Sequence, residues 1–246
     1  MFQIFNKKKF LVDYLSGFID IHNHILPGID DGAKSVEDSI GLLKGFSSIG
    51  ISSFVATPHI MNNYYPNTKE SISTSLHDLT NALLTENLTD IRIEAAAEHM
   101  IDDAFEDLLL NKQIMPLRKD FLLIEMSYLQ PAIHFEECVE SIMKNGFFPI
   151  LAHPERYGYW HSEQKKYPYY KKKGVLYQLN LLSLSNYYGS EVKKMAYSLL
   201  DKGHIDFVAS DVHNLMQLNS LKDLQISPRK IKKLLPLIEN TISHFY

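Results

Sequence analysis

One cysteine, Cys138, is all the thiol chemistry available to this 246-residue chain. An intramolecular disulfide is excluded, and a lone cysteine suits a reducing compartment, which points to the cytoplasm. A thiolate phosphatase mechanism is excluded too. Cys138 sits in a predicted helix and is followed by Val139-Glu140-Ser141-Ile142-Met143-Lys144, without the glycines and arginine of a phosphate-binding loop. Basic excess is also missing: 25 Lys and Arg stand against 29 Asp and Glu, for a formal net charge of -4. That balance argues against a nucleic-acid partner and a nuclease role.

Long apolar runs are absent, and nothing approaches the roughly 20 residues of a membrane span. Lys7, Lys8 and Lys9 precede Phe10-Leu11-Val12, but Asp13 breaks the run before it can serve as a secretion signal. The N-terminal arm, residues 1–17, carries Phe2, Ile4 and Phe5 and is expected to pack on its own domain, with a membrane surface as the alternative. There is no glycine-rich nucleotide loop of the P-loop type, no internal repeat and no low-complexity stretch. Residues 18–246 read as a single domain.

What the chain does have is 45% hydrophobic residues, enough for a full core, and 11 histidines, a surplus that hints at metal. Apolar runs alternate with helical patterns. Strands are expected at 18–24, 51–56, 91–98, 121–125, 147–152, 175–180 and 205–210. Between them lie helices starting near Ser35 (with Asp38 completing a capping box), Thr68, Asp102, Pro131 and Glu191, and a lysine- and tyrosine-rich segment that is helical in part. A last helix from Ser227 is expected to kink at Pro236. Gly50, Gly146, Gly174 and Gly203 stand at helix-to-strand junctions. This alternation predicts an α/β fold with a parallel sheet, closed or nearly closed into a barrel.

The ends of these strands carry the chemistry. The first ends in His22 and His24, whose i, i+2 spacing points both imidazoles the same way. The second leads to His59, the third to Glu98, the fourth to Glu125, the fifth to His153 and the seventh to Asp211 and His213. The sixth alone has no metal-ligand residue type at its end. In an α/β barrel such ends form one rim, where active sites are built. A nitrogen and oxygen donor set without thiolate favours zinc, manganese or iron, and this many ligands suits two or three ions. His77, His99, His134, His161, His204 and His244 lack such placement and read as surface or packing residues.

In order, Asp20-Ile21-His22-Asn23-His24-Ile25-Leu26-Pro27-Gly28-Ile29-Asp30-Asp31-Gly32-Ala33, Thr57-Pro58-His59, Ala97-Glu98, Leu123-Ile124-Glu125, Ala152-His153-Pro154-Glu155-Arg156-Tyr157 and Ser210-Asp211-Val212-His213-Asn214 resemble the PHP family, named for polymerase and histidinol phosphatase domains. Within it the wording is closer to the bacterial tyrosine phosphatases of capsule and exopolysaccharide synthesis. The resemblance implies a distorted (β/α)7 barrel holding divalent ions, manganese first, with zinc, iron or cobalt as alternatives. One ion would take His22, His24, Glu98 and Asp211; a second would share Glu98 and add Glu125 and His153. A third would take His59, His213 and one aspartate of the Asp30-Asp31 pair, Asp31 being favoured. Relatives often carry an arginine shortly after the Ser-Asp-x-His word. Here the stretch reads Leu215-Met216-Gln217-Leu218, leaving Arg156, or Lys222 if the loop folds back, to hold phosphate.

The implied activity is hydrolysis of phosphotyrosine by a metal-bridging hydroxide, with Arg156 as anion fork and His213 as a proton source. The implied substrate is the tail of a bacterial tyrosine kinase. A small phosphate ester such as histidinol phosphate is the alternative substrate, and a metal-stabilised binder of tyrosine-rich tails is the non-catalytic one. The aromatics of Asn62-Asn63-Tyr64-Tyr65-Pro66 and Tyr157-Gly158-Tyr159-Trp160 are expected to wall a phosphotyrosine ring or to pack on one another.

Overall fold

The computed structural model describes residues 7–118 and 120–246; Phe2, Ile4 and Phe5 lie outside them. All seven expected strand runs form strands, and their pairing is parallel throughout. In chain order the strands are β1 (Lys9–Phe10), β2 (Ile19–Asp20), β3 (Ser53–Ala56), β4 (His59–Ile60), β5 (Arg92–Ala95), β6 (Glu98–Met100), β7 (Phe121–Glu125), β8 (Phe148–Ala152), β9 (Leu176–Asn180), β10 (Phe207–Ala209) and β11 (Gln225–Ile226). The helices are α1 (Val36–Ser47), α2 (Lys69–Thr85), α3 (Phe105–Leu110), α4 (Phe135–Lys144), α5 (Lys166–Lys172), α6 (Ser190–Lys202), α7 (Leu215–Lys222) and α8 (Pro228–Phe245).

The third run is broken in two, and the second is followed by a separate short strand at His59–Ile60. In one sheet β3 pairs with β2 and β5 with β3; the strands that follow them, β4 just past the second run and β6 at the end of the third, join β7, β8, β9 and β10 in the other. Pro58 accounts for the gap between β3 and β4, because it has no N–H to give to a ladder. Its carbonyl still accepts from Glu98 N at 3.1 Å, so the chains stay together across the gap. Beyond β2, Asn23 forms a parallel bridge with Val212, just after β10. His24 N donates to Val212 O at 3.0 Å and Asp211 N to His22 O at 2.8 Å. The first and last of the expected strands therefore run side by side at their C-terminal ends.

Except for β5, whose Arg92 and Glu94 are exposed, these strands are largely buried on both faces, as near-continuous apolar runs require. One set of side chains packs outward under the helices, including Leu122, Ile124, Leu151, Leu179 and Val208. The other set meets in a separate cluster of Ile19, Ile21, Val55, Leu123, Ile150 and Phe207, closed by Phe245 from the end of α8. Truncating Leu123 to alanine in such a cluster costs about 2–5 kcal/mol.

Helix starts follow from capping chemistry, with two corrections. Ser35 caps α1 by accepting from Asp38 N, but the Asp38 carboxylate accepts from Lys34 N at 3.2 Å, so the box is not reciprocal. Thr68 and Ser71 form the full reciprocal box at α2. Pro131 does not open a helix: α4 begins at Phe135, and 127–134 is an irregular loop in which Leu129 is 93% exposed and Ile133 88%. Helix α7 was not expected; the Asn214 side chain starts it by accepting from Gln217 N at 3.0 Å. Gly203 ends α6 at φ +68, a left-handed position glycine takes without penalty. The arm packs on its own domain from Lys9 onward: β1 pairs antiparallel with β11, and Leu11 and Leu15 are buried. No helix among the described residues is long and apolar enough to cross a membrane.

Candidate metal centre

The strand ends converge. His22, His24, Glu98, Glu125, His153 and Asp211 are all buried, His59 nearly so, and His213 and Asp31 stand above them at the mouth. His22 Nε2 lies 3.2 Å from Glu98 Oε2 and 3.3 Å from Asp211 Oδ1. His24 Nε2 lies 3.6 and 3.4 Å from the same two oxygens. His153 Nε2 is 3.0 Å from Glu98 Oε1 and 4.0 Å from Glu125 Oε2. His59 turns its two nitrogens to different partners: Nδ1 faces Glu125 Oε1 at 2.8 Å and Glu98 Oε2 at 3.1 Å, while Nε2 faces Asp31 Oδ1 at 3.4 Å. His213 Nε2 is 3.5 Å from that same Asp31 oxygen.

Two donors bound to one ion at about 2.1 Å sit roughly 3.0–3.4 Å apart, which is the spacing found here. Yet His22 Nε2, His24 Nε2, His59 Nδ1, Glu98 Oε2 and Glu125 Oε1 are buried without a hydrogen-bond partner. The 2.8 Å approach of His59 to Glu125 is thus close but not aligned as a hydrogen bond. Buried polar atoms left unpaired are costly. Lone pairs aimed at shared points from several sides fit cations better than protons, so the residues suit a cluster of divalent ions.

Charge leads to the same fit. Burial works against a charged His24, but the Asp30 carboxylate overrides it and lifts the imidazole to about 10. Burial likewise opposes a charge on His59, and Glu125 and Glu98 raise it well above the ordinary value. Glu98 shows the reverse: burial favours its neutral form, while His22 and His59 hold it well below the usual carboxylate range. Positive charge is what this carboxylate rim demands, and without metal it is met by protons on imidazole. His213 departs from the pattern, because burial and the neighbouring His24 push it down to about 4.

A second set of residues aims the first. His22 Nδ1 donates to Gln178 Oε1 at 2.8 Å, which leaves Nε2 facing the centre. His24 Nδ1 pairs with Asp30 Oδ2 at 2.8 Å. Asp30 also accepts from Gly32 N and His59 N, so its oxygens are committed to orienting the loop, whereas Asp31 faces His59 and His213. Gly32 has to be glycine for space: a Cβ there would collide with the His24 carbonyl and Cβ. His153 and Asp211 adopt left-handed backbone, at φ +34 and +52. Such strain, on the order of 1–3 kcal/mol per residue, tends to gather at functional sites. Asp20 accepts from Ser210 N and Oγ at 2.9 and 2.6 Å, tying the first strand to the last beneath the site.

The sixth strand, without a ligand at its end, supplies support instead. Gln178 orients His22, and Asn180 Nδ2 donates to Asp211 Oδ2 at 2.7 Å. The i, i+2 pair of amides in a buried run was the signal. Arg156 Nη1 donates to the same Asp211 oxygen at 2.7 Å rather than pairing with Glu155, and its guanidinium lies over the Tyr128 and Tyr188 rings. Lys222 does not fold back: it ends α7, with its amine beside Gly45 of α1.

The centre opens into a cavity of about 990 Å³ lined by Asp31, His59, Tyr65, Tyr128, Arg156 and His213, among others. The two aromatic stretches divide between the alternatives, one lining the cavity and the other packing on itself. Tyr65 stacks on His59 at 5.5 Å and Tyr64 is 77% exposed at the mouth. Tyr157 and Trp160 are buried core residues, Trp160 stacking on Tyr170 at 5.4 Å. Tyr128, which the sequence did not single out, lines the cavity with its hydroxyl 3.1 Å from His153 Nε2. His99 is a packing histidine, bonded to Leu123 O and Met115 N. Cys138 is half-buried and free.

Parallel α/β architecture and a carboxylate–imidazole rim together define a protein with a candidate multinuclear metal centre. The chain belongs to the family described as capsular polysaccharide synthesis, CpsB/CapC, whose model matches residues 18–229. It is 30% identical over 202 residues to tyrosine-protein phosphatase YwqE of Bacillus subtilis, covering 82% of this chain and 79% of the relative. Tyrosine-protein phosphatase CpsB of Streptococcus pneumoniae is 30% identical over 205 residues, covering 80% and 83%. A crystal structure from work on those two proteins, described as unique metal-dependent tyrosine phosphatases, superposes with a TM-score of 0.80 at 29% identity. It covers 91% of this chain and 92% of that one.

Proposed function

We propose that the protein is a metal-dependent protein-tyrosine phosphatase acting on a tyrosine-phosphorylated protein of capsule or exopolysaccharide synthesis. We take its architecture as a distorted (β/α)7 barrel. The single observation that carries the activity is the convergence of five unpaired buried donor atoms beside Arg156 in an open cavity. The family relationship supports the same reading.

We assign His22, His24, Glu98 and Asp211 to one ion, Glu98, Glu125 and His153 to a second, and Asp31, His59 and His213 to a third. Four groups of donors, the atoms within each lying within 4.8 Å of one another, support a shared centre, because His22, His24, His59 and Glu98 each belong to two of them. Manganese is the leading candidate, with zinc, iron and cobalt as alternatives. Bound divalent cations supply charge against a phosphate dianion and a water acidic enough to attack near neutral pH.

The chain's own residues do the rest. Arg156 holds non-bridging phosphate oxygens with the N–H groups that Asp211 does not use. Asp211, itself held by Asn180, keeps that guanidinium from swinging into solvent. Tyr65 and Tyr128 flank the cavity where an aryl ring would lie. A tyrosine leaving group, with a pKa near 10, needs little protonation help. His213 turns Nδ1 to the Asp211 carbonyl at 3.0 Å and Nε2 to the Asp31 carboxylate, so it serves as a ligand rather than as an acid. The substrate we favour is the tyrosine-rich tail of a bacterial tyrosine kinase in the cytoplasm.

The test is hydrolysis of phosphotyrosine peptides, p-nitrophenyl phosphate and histidinol phosphate by protein loaded with manganese, zinc, cobalt or iron. Release of phosphate from peptides is the expected result. Activity confined to histidinol phosphate would assign the protein to small esters, and tight peptide binding without turnover would make it a binder.

A further inference from the structure

Among the described residues lining the cavity, Arg156 is the one arginine or lysine. A cavity that meets a phosphate with a single guanidinium depends on how that group is aimed. A free arginine side chain loses substantial rotamer freedom when it is fixed, and a group already fixed by its neighbours loses less on binding. Arg156 is fixed from three directions. Asp211 Oδ2 accepts from Nη1 at 2.7 Å. The guanidinium carbon lies 4.2 Å from the ring centroid of Tyr188 and 4.5 Å from that of Tyr128. The rings arrive from unrelated segments, Tyr188 from the turn before α6 and Tyr128 from the loop before α4. A guanidinium over an aromatic face keeps its N–H donors while its weakly hydrated carbon is covered.

We propose that Tyr188 and Tyr128 are positioning residues that hold the Arg156 guanidinium ready for the phosphoryl group, in place of a second cationic side chain. The inference rests on the phosphatase reading of the same cavity. Their roles differ. Tyr128 lines the cavity and also reaches His153, so its loss would disturb the rim directly. Tyr188 stands behind Arg156, and its hydroxyl meets Asn180 Nδ2 at 3.4 Å, the amide that also donates to Asp211 at 2.7 Å. Tyr188 is therefore the cleaner position to vary.

The experiment compares manganese-loaded wild type, Tyr188→Leu and Tyr188→Phe. The readouts are inorganic phosphate binding by calorimetry, KM and kcat for p-nitrophenyl phosphate, and bound metal per chain. Tyr188→Leu is expected to weaken phosphate binding and raise KM, each by about tenfold, with kcat within about threefold and metal content unchanged. Tyr188→Phe, which keeps the ring, is expected to restore wild-type phosphate affinity. Wild-type phosphate affinity in folded, metal-loaded Tyr188→Leu would overturn the proposal. So would a Tyr188→Phe protein as weak as Tyr188→Leu, because the hydroxyl and not the ring would then be responsible. If Tyr188→Leu does not fold, phosphate binding by Tyr128→Leu against Tyr128→Phe isolates the ring, since both variants lose the hydroxyl that reaches His153, and equal affinities would overturn the proposal. Phosphate binding without turnover by wild type would remove the phosphatase reading, and the variants' phosphate affinities would still decide the clamp.

Discussion

Asp211 splits its carboxylate: Oδ1 faces His22 Nε2 at 3.3 Å, while Oδ2 accepts from Arg156 Nη1 and Asn180 Nδ2, both at 2.7 Å. The metal rim and the anion fork thus share one side chain, itself held in left-handed backbone. Replacing Arg156 should therefore weaken substrate binding and loosen a ligand at once. Arg156→Lys keeps the charge but not the planar fork. A charge-assisted hydrogen bond contributes about 1.5–3 kcal/mol, so kcat/KM for a phosphotyrosine peptide should fall between about 10- and 150-fold. Steady-state kinetics alongside bound-metal analysis checks both effects.

Gln178 bears on metal affinity without being a ligand. With His22 Nδ1 left free by Gln178→Leu, the ring can rotate away from the centre. Loss of such an orienting bond costs about 10- to 100-fold in metal affinity or activity. Gly32→Ala should act on His24 in the same way, by displacing its backbone. Competition with a chelator of known affinity measures both variants.

Protonation of the metal-free protein has a defined sign. His24 is raised from 6.5 to about 10, so its pairing with Asp30 contributes stability that is fully present below pH 6.5. That contribution is lost as the pH rises through about 10. The stripped protein should therefore lose stability between pH 7 and 10, and the metal-loaded protein should lose much less over that range. Urea unfolding at several pH values, with and without metal, reads the difference.

Cys138 provides a control on mechanism. Burial, with Glu106 and Glu137 nearby, pushes its thiol up to about 11, so it is protonated at neutral pH. It lines the cavity but lies far from thiolate chemistry. Cys138→Ser should retain phosphatase activity within about twofold, a packing-scale effect, and brief treatment of the wild type with iodoacetamide should leave activity intact.

Strand positions were legible because buried parallel strands are unbroken apolar runs, and the rim was legible because His22, Glu125 and Asp211 follow such runs directly. The break at Pro58 was visible as a residue but not as a change of sheet, since which partner a strand takes is a long-range matter. Gln178 and Asn180 give no metal signal in sequence because they are amides, and their work is to orient His22 and Asp211 across the fold. The Pro131 segment is ambiguous in sequence because proline suits a first helical turn as well as a loop. Tyr128 carried no signal at all: its place beside Arg156 depends on the path of that loop.

The most direct test of a catalytic metal rim is a titration of the chelator-stripped protein with manganese, following bound ions per chain and phosphotyrosine peptide hydrolysis in the same samples. The account predicts two or three ions bound, activity that rises with their occupancy, and loss of both in Glu98→Ala. Hydrolysis that persists in the stripped protein, or ions bound at full occupancy by Glu98→Ala, would contradict it.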